Sequence, residues 1–91
     1  MMKLENKNET VNVIINELAG YSYQDKIEIL ANLFLNIGVE VLESEGLKIS
    51  SDIKTEELFL KATRDIKQRG NTLGNSLIIQ GFTILEWLHR E

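Results

Sequence analysis

The residues best suited to acid–base or metal chemistry are one histidine and two clusters of glutamates. His89 is the sole histidine, and a general base also needs an orienting partner and a pocket. Carboxylates perform such chemistry, or bind hard cations, when they are buried or converge from separate elements. Of the two clusters, Glu40, Glu43 and Glu45 and then Glu56 and Glu57, the first has Glu40 and Glu43 on the polar strip of a predicted helix, which predicts solvation. The sequence predicts no catalytic residue, no metal ligand and no cofactor, and we interpret the protein as not an enzyme.

Two glycines four residues apart, Gly70 and Gly74, resemble part of a phosphate-binding loop. The Gly-Lys-Ser/Thr that completes such a loop is missing, and no strand is predicted before them. We interpret the pair as a turn followed by a position where helices pack closely.

A basic face on the third predicted helix offers the alternative function, a nucleic-acid-associated regulator. Basic side chains could contact phosphates, but Glu57 and Asp65 lie among them and the chain carries a net charge of −4. The fourth helix would have to present polar groups to base edges, whereas its central positions are apolar. The sequence argues against nucleic acid as the main partner. The candidate contacts, for this alternative only, are Lys61, Arg64, Lys67 and Arg69.

Four helices are predicted to position these residues. Residues 9–19 carry apolar side chains at helical spacing, although Val11, Val13 and Ile15 also alternate as in a strand. A helix capped by Ser22 should run to about Ser44, with one narrow polar strip formed by Asp25, Glu28, Asn32, Asn36, Glu40 and Glu43.

The third and fourth helices should span residues 53–69 and about 72–90. The cap of the third is left open among Ser51, Asp52 and Thr55, and that of the fourth between Asn71 and Thr72. Interior glycines at 74 and 81 cost helix stability, so close approach of a second helix would explain them.

The fold predicted from these patterns is all-α. A polar N-terminal tail over residues 1–8 should precede one helical domain over 9–91, a compact four-helix arrangement of two long antiparallel helices and two shorter ones. We expect Phe34 and Phe82 to be among the most buried side chains, because each lies in the middle of an apolar stripe. The apolar runs are too short and too interrupted to span a membrane, and no secretory signal is visible, so the sequence predicts a cytoplasmic protein.

Apolar residues outside the main stripes indicate a surface for a partner. The sequence therefore predicts a non-enzymatic helical protein–protein interaction module, first of all a homodimer, with an unknown protein partner. Its small size and its Ile-, Asn-, Lys- and Glu-rich composition favour a regulator or inhibitor of bacterial phage or mobile-element type. The predicted interface residues are Leu33, Leu35, Val39, Leu60, Ile79 and Trp87.

Overall fold

Four helices account for most of the chain. A computed structural model describes residues 4–90, and within that range contains helices and no strand. The helices are α1 (Leu4–Leu18), α2 (Tyr23–Ser44), α3 (Thr55–Arg69) and α4 (Leu73–Leu88). The predicted all-α class and four-helix arrangement are confirmed, and residues 9–18 are helical rather than extended. Because α1 begins at Leu4, it includes residues 4–8 of the predicted tail, whereas residues 1–3 and 91 lie outside the described range.

Side chains close the N-terminal ends of α2 and α4. The Ser22 hydroxyl accepts a hydrogen bond from the backbone N–H of Asp25 at 3.2 Å, as predicted. At α4, Thr72 accepts from the Asn75 N–H at 3.3 Å, and Asn75 Oδ1 accepts from the Thr72 N–H at 3.0 Å. Each pair satisfies helix-end donors that would otherwise lack a partner.

The start of α3 differs from the prediction. Its N-cap is Lys54, whose side chain makes no capping hydrogen bond, so none of the three candidates fills that position. The Asp52 carboxylate instead accepts a hydrogen bond from the Ser50 hydroxyl within the preceding loop. Glu56 and Glu57 in the first turn complement the positive end of the helix dipole.

Helices α2 and α4 form the spine of the fold and run antiparallel. Glycines bring them together: Gly81 lies against Ala31, Gly38 against Ile78, and Gly74 against Leu42. A Cβ atom added at Gly74 would lie 2.8 Å from Leu42 Cγ. The predicted close approach at positions 74 and 81 is confirmed, and the glycine of α2 provides a third such contact.

The core lies between this spine and α3. Its buried members are Leu35, Leu42, Leu58, Ala62 and Ile78. The prediction that Phe34 and Phe82 are among the most buried residues is wrong, since both are only partly buried. Small residues lie where α2 and α4 pack most closely, among them Ala31, which is fully buried. Phe82 stacks on Phe59 at the edge between α3 and α4, with 4.3 Å between ring centroids.

Helix α1 stands apart from this arrangement. Helix α4 packs closely on both α2 and α3, whereas α1 makes no comparable backbone approach to another described helix. Instead α1 faces α2 across an open gap, described below. Within residues 4–90, no helix combines the length and the apolar character needed to cross a membrane.

Candidate interaction surface

An apolar groove separates α1 from α2. This α1–α2 groove has a volume of about 390 Å³ and Lys26 as its one charged lining residue. The apolar walls consist of Val11, Ile14, Ile15 and Leu18 from α1 and of Ile27, Leu30 and Leu33 from α2. Such a surface suits burial against another apolar surface and offers little to a polar ligand.

The side chains of the groove are far from buried. Val11 is 50% exposed, Ile15 57% and Leu30 48%, and Ile37 extends the same apolar side along α2 with 48% exposure. Single exposed aliphatic residues are ordinary, but a contiguous set on two facing helices forms one apolar patch.

The spacing of residues along α2 explains why this helix has two apolar sides. Buried residues recur at intervals of four, three and four along the side that meets α4: Ala31, Leu35, Gly38 and Leu42. A second set with the same intervals, displaced by one position, lies on the other side: Leu30, Phe34, Ile37 and Val41. One position turns a helix by about 100°, so the second set points away from α4. Helix α2 therefore keeps one apolar side for the core and leaves another largely uncovered.

The polar strip of α2 satisfies part of its own hydrogen bonding. The Asn32 side-chain amide donates to the Glu28 carbonyl, and the Asn36 amide donates to the Asn32 carbonyl, each at 2.9 Å. Both side chains are exposed. The strip forms one exposed flank of α2, and the two apolar sides adjoin each other on the rest of the circumference.

The predicted interface residues do not form one surface. Leu33 lines the α1–α2 groove, Leu60 is exposed on α3, and Trp87 is 66% exposed near the end of α4. Leu35 is buried, with 8% exposure, so its assignment to an interface is corrected: it packs beside Gly81 of α4. Val39 and Ile79 are partly buried against the core.

The sequence interpretation missed the α1 wall of the groove. The helical spacing of residues 9–19 predicts an amphipathic helix, but it does not show that the apolar side of this helix lines an open groove. The sequence of α2 carries the signal for this groove, because the apolar set containing Leu30 and Ile37 repeats independently of the buried set.

One residue of the candidate basic face, Arg69, is hydrogen-bonded within the protein. Arg69 donates from Nε to Asp65 Oδ1 at 2.7 Å and from Nη2 to Asp65 Oδ2 at 2.9 Å. Its Nη1 donates to the Glu45 carbonyl at 2.9 Å. Arg69 thereby ties the end of α3 to the end of α2, which leaves Lys61, Arg64 and Lys67 as outward-facing cations.

Asp65 is the most buried charged group of the described residues, with 3% exposure. Hydrogen bonding from Arg69 is the main cause that lowers the pKa of the Asp65 carboxyl, with a further contribution from Asn75, although burial opposes both. The Asn75 amide donates to Asp65 Oδ2 and to the Gly70 carbonyl, each at 3.1 Å. This cluster is a satisfied structural network that fixes the α3–α4 turn.

His89 lies at the C-cap of α4 and lines an open cavity of about 320 Å³ together with Glu56 and Glu86. Its Nε2 is 4.0 Å from Glu28 Oε1, and the side chains of His89 and Glu28 are 66% and 46% exposed. No group of three or more histidine, cysteine, aspartate or glutamate side chains in residues 4–90 is placed to hold a metal ion.

Comparisons of the chain with protein-family models, with curated proteins and with solved structures found no match. Function is therefore inferred from the surfaces of this chain alone.

Proposed function

We propose that the protein is a non-enzymatic helical interaction module that forms a homodimer and binds another protein. The observation that carries the proposal is the α1–α2 groove, whose walls face each other without a covering element among the described residues. Surfaces of this kind in monomeric proteins are commonly sites of protein contact.

The size of the uncovered surface supports this proposal. Seven aliphatic residues of α1 and α2 are between 36% and 57% exposed on this side: Val11, Ile14, Ile15, Ile27, Leu30, Leu33 and Ile37. At about 90 Å² each they offer roughly 600 Å² of apolar surface per chain, the upper end of the range for the largest patch on a soluble monomer. Burying such surface is favourable by about 25 cal/mol per Å².

A second feature, Trp87, supports contact with a partner other than a copy of the chain. Its ring is exposed near the end of α4, and the Arg90 guanidinium lies 4.7 Å from the ring centroid. Tryptophan and arginine are the residue types most enriched among energetically dominant interface contacts. A regulator or inhibitor of phage or mobile-element type, acting in the cytoplasm, fits the small size and composition of the chain.

Co-purification tests the proposed function. Tagged wild-type protein, Trp87→Ala, Val11→Glu and a matched control, Val13→Glu, are expressed in the native host, and captured proteins are identified by mass spectrometry. Val13 is 58% exposed on α1 but does not line the groove. We expect one protein to be captured by the wild type and the control and lost with Trp87→Ala or Val11→Glu. Capture of the same proteins by all four would contradict the proposal.

A nucleic-acid-associated regulator remains the alternative, carried by Lys61, Arg64 and Lys67. Because Arg69 is engaged by Asp65 and Glu45, the face has fewer available cations than the sequence predicts.

A further inference from the structure

We infer that the α1–α2 groove is filled by the α1–α2 hairpin, residues 4–44, of a second copy of the chain, and that this pairing holds α1 in its helical form. The inference rests on the homodimer of the proposed function and adds which surface pairs and what the pairing does. Its support comes from the composition of α1, from the position of α1 in the fold and from the size and character of the groove.

Helix α1 is poorly suited to stand alone. It has 15 residues, and isolated helices of about 12–15 residues are marginal in water even when their sequences favour helix. Nine of its residues are asparagine or β-branched, types that disfavour helix: four asparagines, two valines, two isoleucines and one threonine. No basic residue complements the dipole in its last turn. Its helical state therefore requires packing against an apolar surface.

The described residues supply only part of that packing. Helix α4, the most apolar helix, is already covered by α2 and α3, and α1 approaches none of the three closely. The α1 wall of the groove is instead about half exposed, with Ile14 at 42% and Ile15 at 57%. The groove is open and wide enough, at about 390 Å³, to receive side chains from outside the chain.

The groove has the properties expected of a surface that pairs with itself. A twofold axis places the same patch on both partners, so the patch must be complementary to a copy of itself. Its lining is aliphatic apart from Lys26, and therefore presents no charge pattern that calls for an oppositely charged partner. Two hairpins placed side by side bring four helices around one apolar centre, and their apolar residues already follow the spacing of three and four that such bundles use.

The available area matches what a dimer needs. Roughly 600 Å² of apolar surface on each chain gives about 1,200 Å² when two copies meet, the lower end of the range for specific interfaces. Polar residues at the rim would add to this value. The pairing would bury the α1 stripe and the second apolar side of α2 in one step.

Light scattering across the micromolar range tests the pairing. The wild type is expected near twice 10.4 kDa, Val11→Glu near 10.4 kDa, and Val13→Glu near the wild-type value. A glutamate buried among these aliphatic side chains would lose its hydration, and we expect this to weaken association at least about tenfold. The same substitution at Val13, outside the groove, controls for the change in helix propensity and charge that Val→Glu makes in α1.

Hydrogen exchange tests the second half of the inference. Amides of α1 are expected to be protected in the dimer and to exchange at least about tenfold faster in Val11→Glu, while those of α2 and α4 keep their protection. If Val11→Glu also loses protection in α2 and α4, Leu30→Glu on the opposite wall repeats the test at a residue that is 48% exposed.

Three results would overturn the inference without contradicting the proposed binding of another protein. A wild-type mass near 10.4 kDa at all concentrations would remove the dimer, while co-purification of a partner would still support an interaction module. A doubled mass retained by both Val11→Glu and Leu30→Glu would place the dimer interface elsewhere. Equal protection of α1 in dimer and monomer would show that α1 needs no partner copy.

Discussion

Gly81 of α4 lies directly against the backbone of α2 at Ala31. A Cβ atom at position 81 would be 2.8 Å from the Ala31 carbonyl oxygen and 3.0 Å from the Leu35 side chain. A backbone carbonyl in a helix cannot rotate away as a side chain can. This contact fixes how closely the two helices of the spine approach each other.

We expect Gly81→Ala to destabilise the protein. The added methyl group must push α2 and α4 apart, which costs about 1–3 kcal/mol and outweighs the better helix propensity of alanine. Urea titration followed by circular dichroism measures the loss of unfolding free energy. Gly20→Ala is the control, because no atom lies within 4 Å of a Cβ added there. Equal stability of Gly81→Ala and wild type would mean that the two helices are farther apart.

Asp65→Asn should lower stability in a pH-dependent manner. Hydrogen bonds from Arg69 lower the pKa of Asp65 in the folded state. The stabilisation from the Asp65 charge is therefore fully present above about pH 4, the ordinary aspartate pKa. It is lost as the pH falls through the lower pKa that Asp65 has in the folded protein. We expect Asp65→Asn to cost about 2–3 kcal/mol at pH 7, the scale of hydrogen bonds to a charged group.

Unfolding titrations of wild type and Asp65→Asn at pH 7, 4 and 2.5 check this expectation. The difference between the two proteins should narrow toward the acid end. Glu40→Gln, at an exposed position of α2, should change stability by less than about 0.5 kcal/mol. A difference that is constant with pH would show that the Asp65 charge does not stabilise the fold.

The stacked rings of Phe59 and Phe82 should be energetically coupled. Their centroids are 4.3 Å apart, and the rings are inclined at 24°. We expect Phe82→Ala to cost about 2–3 kcal/mol, less than the 3–5 kcal/mol of a fully buried phenylalanine, because the ring is only partly buried. A double-mutant cycle with Phe59→Ala should give a coupling of about 0.5–1.5 kcal/mol. Additive losses would mean that the rings do not interact in solution.

Wild-type protein should cause no mobility shift of duplex DNA at micromolar concentration. The cations Lys61, Arg64 and Lys67 are few, and Arg69 is held by Asp65. The nucleic-acid alternative requires the reverse: a shift that weakens steeply with salt and disappears in the double variant Lys61→Glu, Arg64→Glu. That result would replace the proposed function with the alternative.

Local signals in the sequence were sufficient for the four helices and for some of their ends. Ser22 and Thr72 act through neighbours three residues away, and spacing predicted Ser22 and narrowed the α4 cap to Asn71 or Thr72. The cap of α3 escaped prediction because Lys54 occupies that position through its backbone conformation and makes no side-chain hydrogen bond.

The assignment of each apolar face to a partner was less predictable. An apolar stripe shows that a face favours burial, but not whether the surface that covers it belongs to the same chain. Leu35 and Leu33 both belong to the broad apolar sector of α2, yet only Leu35 is buried, because glycines in α4 let that side approach. The periodicity of α2 does not show which of its apolar residues are buried. The small residues of α4 determine which side of α2 packs against it.

The same glycines select one alignment of α2 on α4 from two that the apolar pattern permits. A slip of one residue would bring Leu30, Phe34, Ile37 and Val41 to α4 in place of Ala31, Leu35, Gly38 and Leu42. Both sets are apolar with the same intervals, so hydrophobicity alone does not separate the two registers. Ile78 packs on the bare backbone of Gly38, where an added Cβ would lie 2.6 Å from Ile78 Cδ1 and 3.2 Å from the Ile78 backbone nitrogen. The slipped register would put Ile37 in this place, so the contact at Gly38 favours the observed register, in which the other apolar side of α2 faces α1.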